Sequence, residues 1–186
     1  MEQQLLEELI ERSLYGENDA FRRIVESHQG YAFALAFRLV DDRELAGDVV
    51  QESFIRVWRH LRWYDPAIKF TTWLYRIVVN LSLDQLKMEK RRTRVFTGEL
   101  NDMPSPNNTP EQEAVDRDLA DRIRAAAARL SPRQRLVFVL RDLEDLSVKE
   151  TAGVLAISCN AVKVHLSNAR RNIRKQLENN DHVREG

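Results

Sequence analysis

The sequence predicts an all-α protein: two small helical domains joined by a flexible linker, the second containing a helix-turn-helix. Three observations lead there. The 186 residues include only six glycines, and apolar positions recur at steps of three and four instead of alternating as in a half-buried strand. Thr97 to Gln112, TGELNDMPSPNNTPEQ, holds three prolines and three asparagines without any period, the composition of a linker. Leu146 to Leu177 reads as a short helix, a tight turn and a longer basic helix. The expected divisions are 1–95, a linker over 96–112, and 113–186. A coil of about 20 residues spans roughly 25 Å on average, so the flanking domains could reach separate sites on one partner.

Each element follows from local signals. Residues 2–14 form a short amphipathic helix carrying Leu5, Leu6, Leu9 and Ile10. Gly16-Glu17-Asn18-Asp19 breaks it, and Asn18 or Asp19 is placed to cap the next helix. That helix, about Ala20 to Val40, is apolar on most sides and is expected at the centre of a bundle. His28 on it has no His or Cys at metal-ligand spacing and reads as a surface or boundary histidine. Asp41-Asp42 opens a third helix, Arg43 to about Leu61, with Val50, Phe54, Val57 and Leu61 inward. Its other side carries Asp48, Gln51, Glu52, Ile55 and Arg59. An aliphatic among carboxylates and amides suggests a docking face, although single exposed apolar residues are also ordinary.

Leu61 to Phe70, LRWYDPAIKF, is read as a loop because Asp65-Pro66 blocks helix continuation. Trp63, Tyr64, Phe70 and Trp73 interleave with Arg62, Lys69 and Arg76, the composition that stacks unpaired bases while holding a phosphate backbone. Thr71 or Thr72 is expected to cap a fourth helix running to about Arg94, with Phe70, Leu74, Ile77, Val78, Leu81 and Gln85 inward. Trp73, Arg76, Asn80, Asp84, Lys87 and Arg91 form a second stripe of one aromatic, two base-edge readers and three cations. The alternative reading places Trp73 in the core and the cations on a solvated face.

Beyond the linker, Val115, Leu119, Ile123 and Ala126 or Ala127 mark a helix from near Glu113 to near Leu130. Ser131-Pro132 opens another with Leu136, Val137, Val139, Leu140 and Leu143 packing. Ser147 and Glu150 then form a capping box. Ser158 caps the last helix, where Val162, Leu166, Ala169, Ile173 and Leu177 make one apolar stripe. Its outer side carries Ser158, Asn160, Lys163, Val164, Ser167, Asn168 and Arg171, with Arg174 further on. Short polar groups lead and cations follow, as a helix lying in a major groove requires. An ordinary helical hairpin with a solvated basic face is the plainer alternative. Glu178 to Gly186 read as a frayed polar tail.

Charge supports two contacts on one polyanion. The net charge is zero, but residues 61–95 carry 8 basic and 3 acidic residues and residues 122–186 carry 13 and 7. Local patches govern phosphate binding because exposed charges are screened beyond about 8–10 Å. The acidic, amphipathic start does not read as a signal peptide, and no run of about 18 apolar residues exists, so neither a leader nor a membrane span is expected. The lone Cys159 fits a reducing cytoplasm; it sits where thiolates are favoured, so a redox role is conceivable, but a lone cysteine is usually just a small hydrophobe. No nucleophile–base pair, metal-ligand spacing or phosphate loop is present, so neither catalysis nor a cofactor is expected, nor a small-molecule substrate.

Three runs together, DVVQESFIRVWRHL (48–61), FTTWLYRIVVNLSLDQLKMEKRR (70–92) and LSPRQRLVFVLRDLEDLSVKETAGVLAISCNAVKVHLSNARRNIRKQL (130–177), resemble the bacterial sigma-70 family of transcription initiation factors, in its small extracytoplasmic-function (ECF) branch. The resemblance implies that residues 20–94 are conserved region two and 113–177 region four. It implies a face for the β′ clamp of core RNA polymerase at Asp48, Gln51, Glu52, Ile55 and Arg59. It implies −10 promoter contacts by Trp63, Tyr64, Lys69, Phe70, Trp73, Arg76, Asn80, Asp84, Lys87 and Arg91. It implies −35 contacts by Ser158, Asn160, Lys163, Val164, Ser167, Asn168 and Arg171, a region-four contact with the β flap, and an anti-sigma factor as a further partner. The linker would thread through the polymerase toward the RNA exit path. Where the family has glycine in the helix-turn-helix turn, this chain has Ala156. Two rivals remain at this stage: a helix-turn-helix repressor or activator, and a sigma-like decoy that occupies another factor.

Overall fold

A computed structural model describes residues 3–97 and 122–184, all helices and connecting turns. The chain divides into two compact units, Met1–Asp102 and Met103–Gly186. The predicted linker and the first half of the helix expected from Glu113 lie outside the described residues.

In the first unit, α1 is Gln3–Leu14, α2 Asn18–Val40, α3 Arg43–His60 and α4 Phe70–Thr97. Helix α2 packs against all three others and buries Ala20, Ile24, Ala32, Leu35 and Leu39, so it is the centre of the bundle as its composition predicts. Its cap is Glu17, one residue before the expected Asn18 or Asp19, and no side chain closes it. Asp41 ends α2 in the left-handed region, and Asp42 caps α3 by accepting from Leu45 N–H at 2.8 Å. Helix α3 buries Ala46, Val49, Ser53, Phe54 and Val57. Its inward face is therefore rotated from the predicted one, and Val50 lies at the edge.

His28 departs from expectation. It is buried, with Nδ1–H donating to the Ile24 carbonyl at 2.8 Å and its ring edge-on to Phe70 at 4.9 Å. Burial pushes its pKa below the ordinary histidine range, against the opposing pull of that backbone bond.

In the second unit, α5 covers 122–128, α6 is Pro132–Phe138, α7 Val148–Leu155 and α8 Cys159–Arg184. Two apolar clusters hold it. Ala126, Ala127, Leu130 and Phe138 pack on Ala169 and Ile173; Val137 and Ala152 pack on Val162 and Leu166. The predicted stripe of α8 thus serves both clusters. Ser131 makes no side-chain cap. Leu143 is exposed instead of packed, because α6 widens at Val139–Leu143 into a π turn, with Glu144 N–H donating to the Val139 carbonyl at 3.0 Å. The predicted frayed tail is helical through Arg184.

Candidate nucleic-acid and polymerase interfaces

The outer face of α3 presents Asp48, Gln51 and Arg59 exposed and Ile55 at 38% exposure. Glu52 is half-buried and accepts from Arg56 Nε at 3.0 Å. All five sequence-predicted residues therefore share one accessible face. Beside it runs a groove between α2 and α3 of about 640 Å³, floored by Phe21, Val25, Val50, Phe54 and Trp58. Trp58 stands edge-on to Phe21 at 4.8 Å. The sequence reading omitted Trp58. Its signal was present: Ile55 and Trp58, three apart, widen the apolar arc of α3 beyond what one core contact needs.

The loop after α3 is built by its own side chains. A single 3₁₀ turn, Leu61–Trp63, ends with Tyr64 N–H donating to the Leu61 carbonyl. Asp65 Oδ1 accepts from Ala67 N–H at 2.9 Å, and Ile68 N–H donates to the Asp65 carbonyl at 3.0 Å, closing a tight turn over Pro66. Tyr64 O–H donates to the Ile68 carbonyl at 2.7 Å and clips the loop shut.

Not every predicted aromatic faces outward. Tyr64 is only 9% exposed and Phe70 2%, so neither is a free stacking platform, contrary to the sequence reading. Phe70 contacts Tyr64 at 5.6 Å and Trp73 at 5.7 Å, and Tyr64 contacts Trp73 at 5.3 Å. Burying such rings stabilises by roughly 1.5–3 kcal/mol each, which fixes the start of α4 at Phe70 and explains why Thr71 and Thr72 fall inside the helix. The Lys69 carbonyl instead accepts from Trp73 N–H. Trp63 remains 59% exposed, with the Arg62 guanidinium 3.9 Å above its ring and His60 at 5.2 Å. Half-buried Trp73 leads the row on α4, and Arg76, Asn80, Asp84, Lys87 and Arg91 follow it exposed. Asp84 pairs with Lys87 at 3.1 Å.

The helix-turn-helix forms as its sequence signals require. Ser147 Oγ accepts from Glu150 N–H at 3.1 Å, while the Glu150 carboxylate accepts from Ser147 N–H at 2.8 Å. Ser158 Oγ accepts from Ala161 N–H at 3.1 Å and starts α8. Between them Ala156 adopts φ 52°, ψ 45°, the left-handed conformation that glycine takes without strain. On α8, Asn160, Lys163, Ser167 and Arg171 are exposed and Val164 is half exposed at 50%. Asn168 is half-buried and accepts from Arg171 Nη2 at 2.7 Å. The predicted −35 residues thus occupy one outward side, opposite the buried stripe.

A helical bundle with an aromatic loop and a cationic helix, together with a separate helix-turn-helix unit, is the architecture of a helical transcription factor. Family models agree: Sigma-70 region 2 matches residues 24–92 and Sigma-70 region 4 matches 120–173. The chain is 29% identical over 182 residues to the ECF RNA polymerase sigma factor SigW of Bacillus subtilis, covering 93% of this chain and 97% of SigW. It is 31% identical over 175 residues to the RNA polymerase sigma factor CnrH of Cupriavidus metallidurans, covering 88% and 89%. The structure of CnrH in complex with the cytosolic domain of CnrY superposes with a TM-score of 0.64 at 27% identity, covering 95% of this chain and 96% of CnrH. The chain belongs to the ECF branch of the sigma-70 family. It binds core RNA polymerase and directs promoter-specific transcription initiation.

Proposed function

We propose a division of labour among the surfaces just described. The α3 face of Asp48, Gln51, Glu52, Ile55 and Arg59 docks on the β′ clamp. Trp63, Lys69, Trp73, Arg76, Asn80, Asp84, Lys87 and Arg91 hold the opened −10 strand; Tyr64 and Phe70 shape that surface from beneath. Ser158, Asn160, Lys163, Val164, Ser167, Asn168 and Arg171 read the −35 duplex, and the same unit meets the β flap. Residues 1–95 and 113–186 act as the two working domains, with 96–112 as the connection between them. The protein works by binding alone, not as a catalyst, and in the cytoplasm; among the described residues no helix is long and apolar enough to cross a membrane.

The observation that carries this reading is the row on α4, half-buried Trp73 followed by exposed Arg76, Asn80, Asp84, Lys87 and Arg91, together with exposed Trp63 and Lys69 in the loop before it. Stacking contributes about 1–3 kcal/mol per captured base, enough to favour opening without chemistry. An anti-sigma factor is a further partner, as the CnrH–CnrY complex suggests by analogy. The test is Asn80→Ala: promoter opening, followed by permanganate reactivity, should fall at least fivefold while affinity for core polymerase is unchanged. Equal loss of both would refute the division.

A further inference from the structure

Arg170 occupies a position on α8 that its neighbours use differently. Lys163, Ser167, Arg170 and Arg174 step by four, three and four along one flank, directly beside the outward side that carries Val164 and Arg171. Residues on such a flank meet the groove walls, where the phosphates lie. Lys163 and Arg174 make no ion pair among the described residues. Arg170 is held. Its Nε donates to Asp142 Oδ2 at 2.9 Å and its Nη2 to Asp142 Oδ1 at 2.6 Å, a bidentate fork.

The carboxylate reaches α8 because of the π turn. The extra residue in Val139–Leu143, together with Asp145 in the left-handed region and Leu146 N–H donating to the Leu140 carbonyl, turns Asp142 toward α8. Its side chain is only 20% exposed, while that of Arg170 is 58% exposed. Exposed ion pairs contribute little in general, and bidentate arginine–carboxylate geometry with one half-buried member is the exception. The intramolecular carboxylate also competes with any phosphate at a high effective concentration.

We propose that Asp142 is a charge brake: it withholds Arg170 from the phosphate-facing row of the recognition helix and so weakens sequence-independent duplex binding. The proposal rests on the reading that α8 lies in a groove. A factor whose promoter choice depends on polymerase benefits from losing one non-specific phosphate contact, since that contact adds affinity for every sequence alike.

The experiment measures binding of the full-length protein to a 20-base-pair duplex of unrelated sequence, by fluorescence anisotropy, from 50 to 200 mM salt. Each phosphate contact adds about 0.9 to the slope of log K against log salt. Asp142→Asn should steepen the slope by about 0.9, so that affinity falls roughly 3.5-fold more than that of wild type between 50 and 200 mM salt. Adding Arg170→Gln to that variant should restore the wild-type slope, and Arg170→Gln alone should leave it unchanged. A slope lowered by Arg170→Gln alone would mean that Arg170 already binds phosphate and would overturn the proposal. So would an unchanged or flatter slope in Asp142→Asn. If Asp142→Asn melts early, Asp142→Ser and the Arg170→Gln single variant still decide. Lys163→Ala separates the two levels: it should flatten the slope by about 0.9, and no effect there would fault the groove reading itself.

Discussion

Replacing Ala156 by glycine should stabilise the second unit. Ala156 ends α7 at φ 52°, ψ 45° and is exposed, so little packing is lost with its methyl group. An L-residue in that region carries about 1–2 kcal/mol of strain. Glycine removes the strain but costs about 0.4–1 kcal/mol through a freer unfolded chain. The net gain is about 0.5–1 kcal/mol. For a unit spanning residues 103–186, that corresponds to a rise in Tm of about 2–8 °C. Differential scanning calorimetry of the full chain should show this shift in one transition only. Gly153, three residues earlier in mid-helix, shows the opposite mismatch: a Cβ there meets nothing within 4 Å, so Gly153→Ala should add about 0.5–1 kcal/mol of its own. Ala156→Val, β-branched in the same conformation, should lower Tm. A glycine variant that melts at or below wild type would refute the reasoning, because it would mean that the left-handed residue carries no relievable strain.

Two further predictions concern the first unit. Folding holds the His28 pKa below its ordinary value, so the unfolded chain takes up the proton more readily; stability is complete above about pH 6.5 and declines as pH falls below it. Urea denaturation of wild type and His28→Gln from pH 7.5 to 5 should show a steeper acid-side loss in wild type, and parallel curves would contradict the assignment. Tyr64→Phe removes only the hydroxyl that clips the Ile68 carbonyl, at a cost of about 1 kcal/mol; amide exchange at Ala67 and Ile68 should quicken, and affinity for a −10 single strand should fall several-fold while core polymerase binding stays constant.

The helices were legible because their signals are local. The Ser147–Glu150 box, the Ser158 cap and the stripe from Val162 to Ile173 each lie within a few turns of chain, and each forms as read. Composition identified an aromatic loop but not the direction of each ring. Trp63 points out, while Tyr64 and Phe70 turn in against His28 and Trp73, a choice set by packing between α2 and α4 that no spacing encodes. His28 was misread for the same reason: its partner is its own helix carbonyl, and its burial comes from Phe70, 42 positions further along the chain. The π turn was invisible because its sequence, VLRDL, continues a helical pattern, and the Asp142–Arg170 pair depends on it. Ala156 is the instructive case. The turn residue breaks the local preference for glycine, and the chain adopts the left-handed conformation nonetheless because one apolar cluster, holding Ala152 of α7 with Val162 and Leu166 of α8, fixes where the two helices must cross.

The central claim is that this chain turns core RNA polymerase into a promoter-specific initiator through two DNA-contacting surfaces. Run-off transcription with purified core polymerase, on fragments from upstream of the chain's own gene, tests it most directly. The account predicts a start site that appears only with the protein, lost on Asn80→Ala and weakened by Lys163→Ala. Retardation of the same DNA by the protein alone, with no protein-dependent transcript, would contradict it.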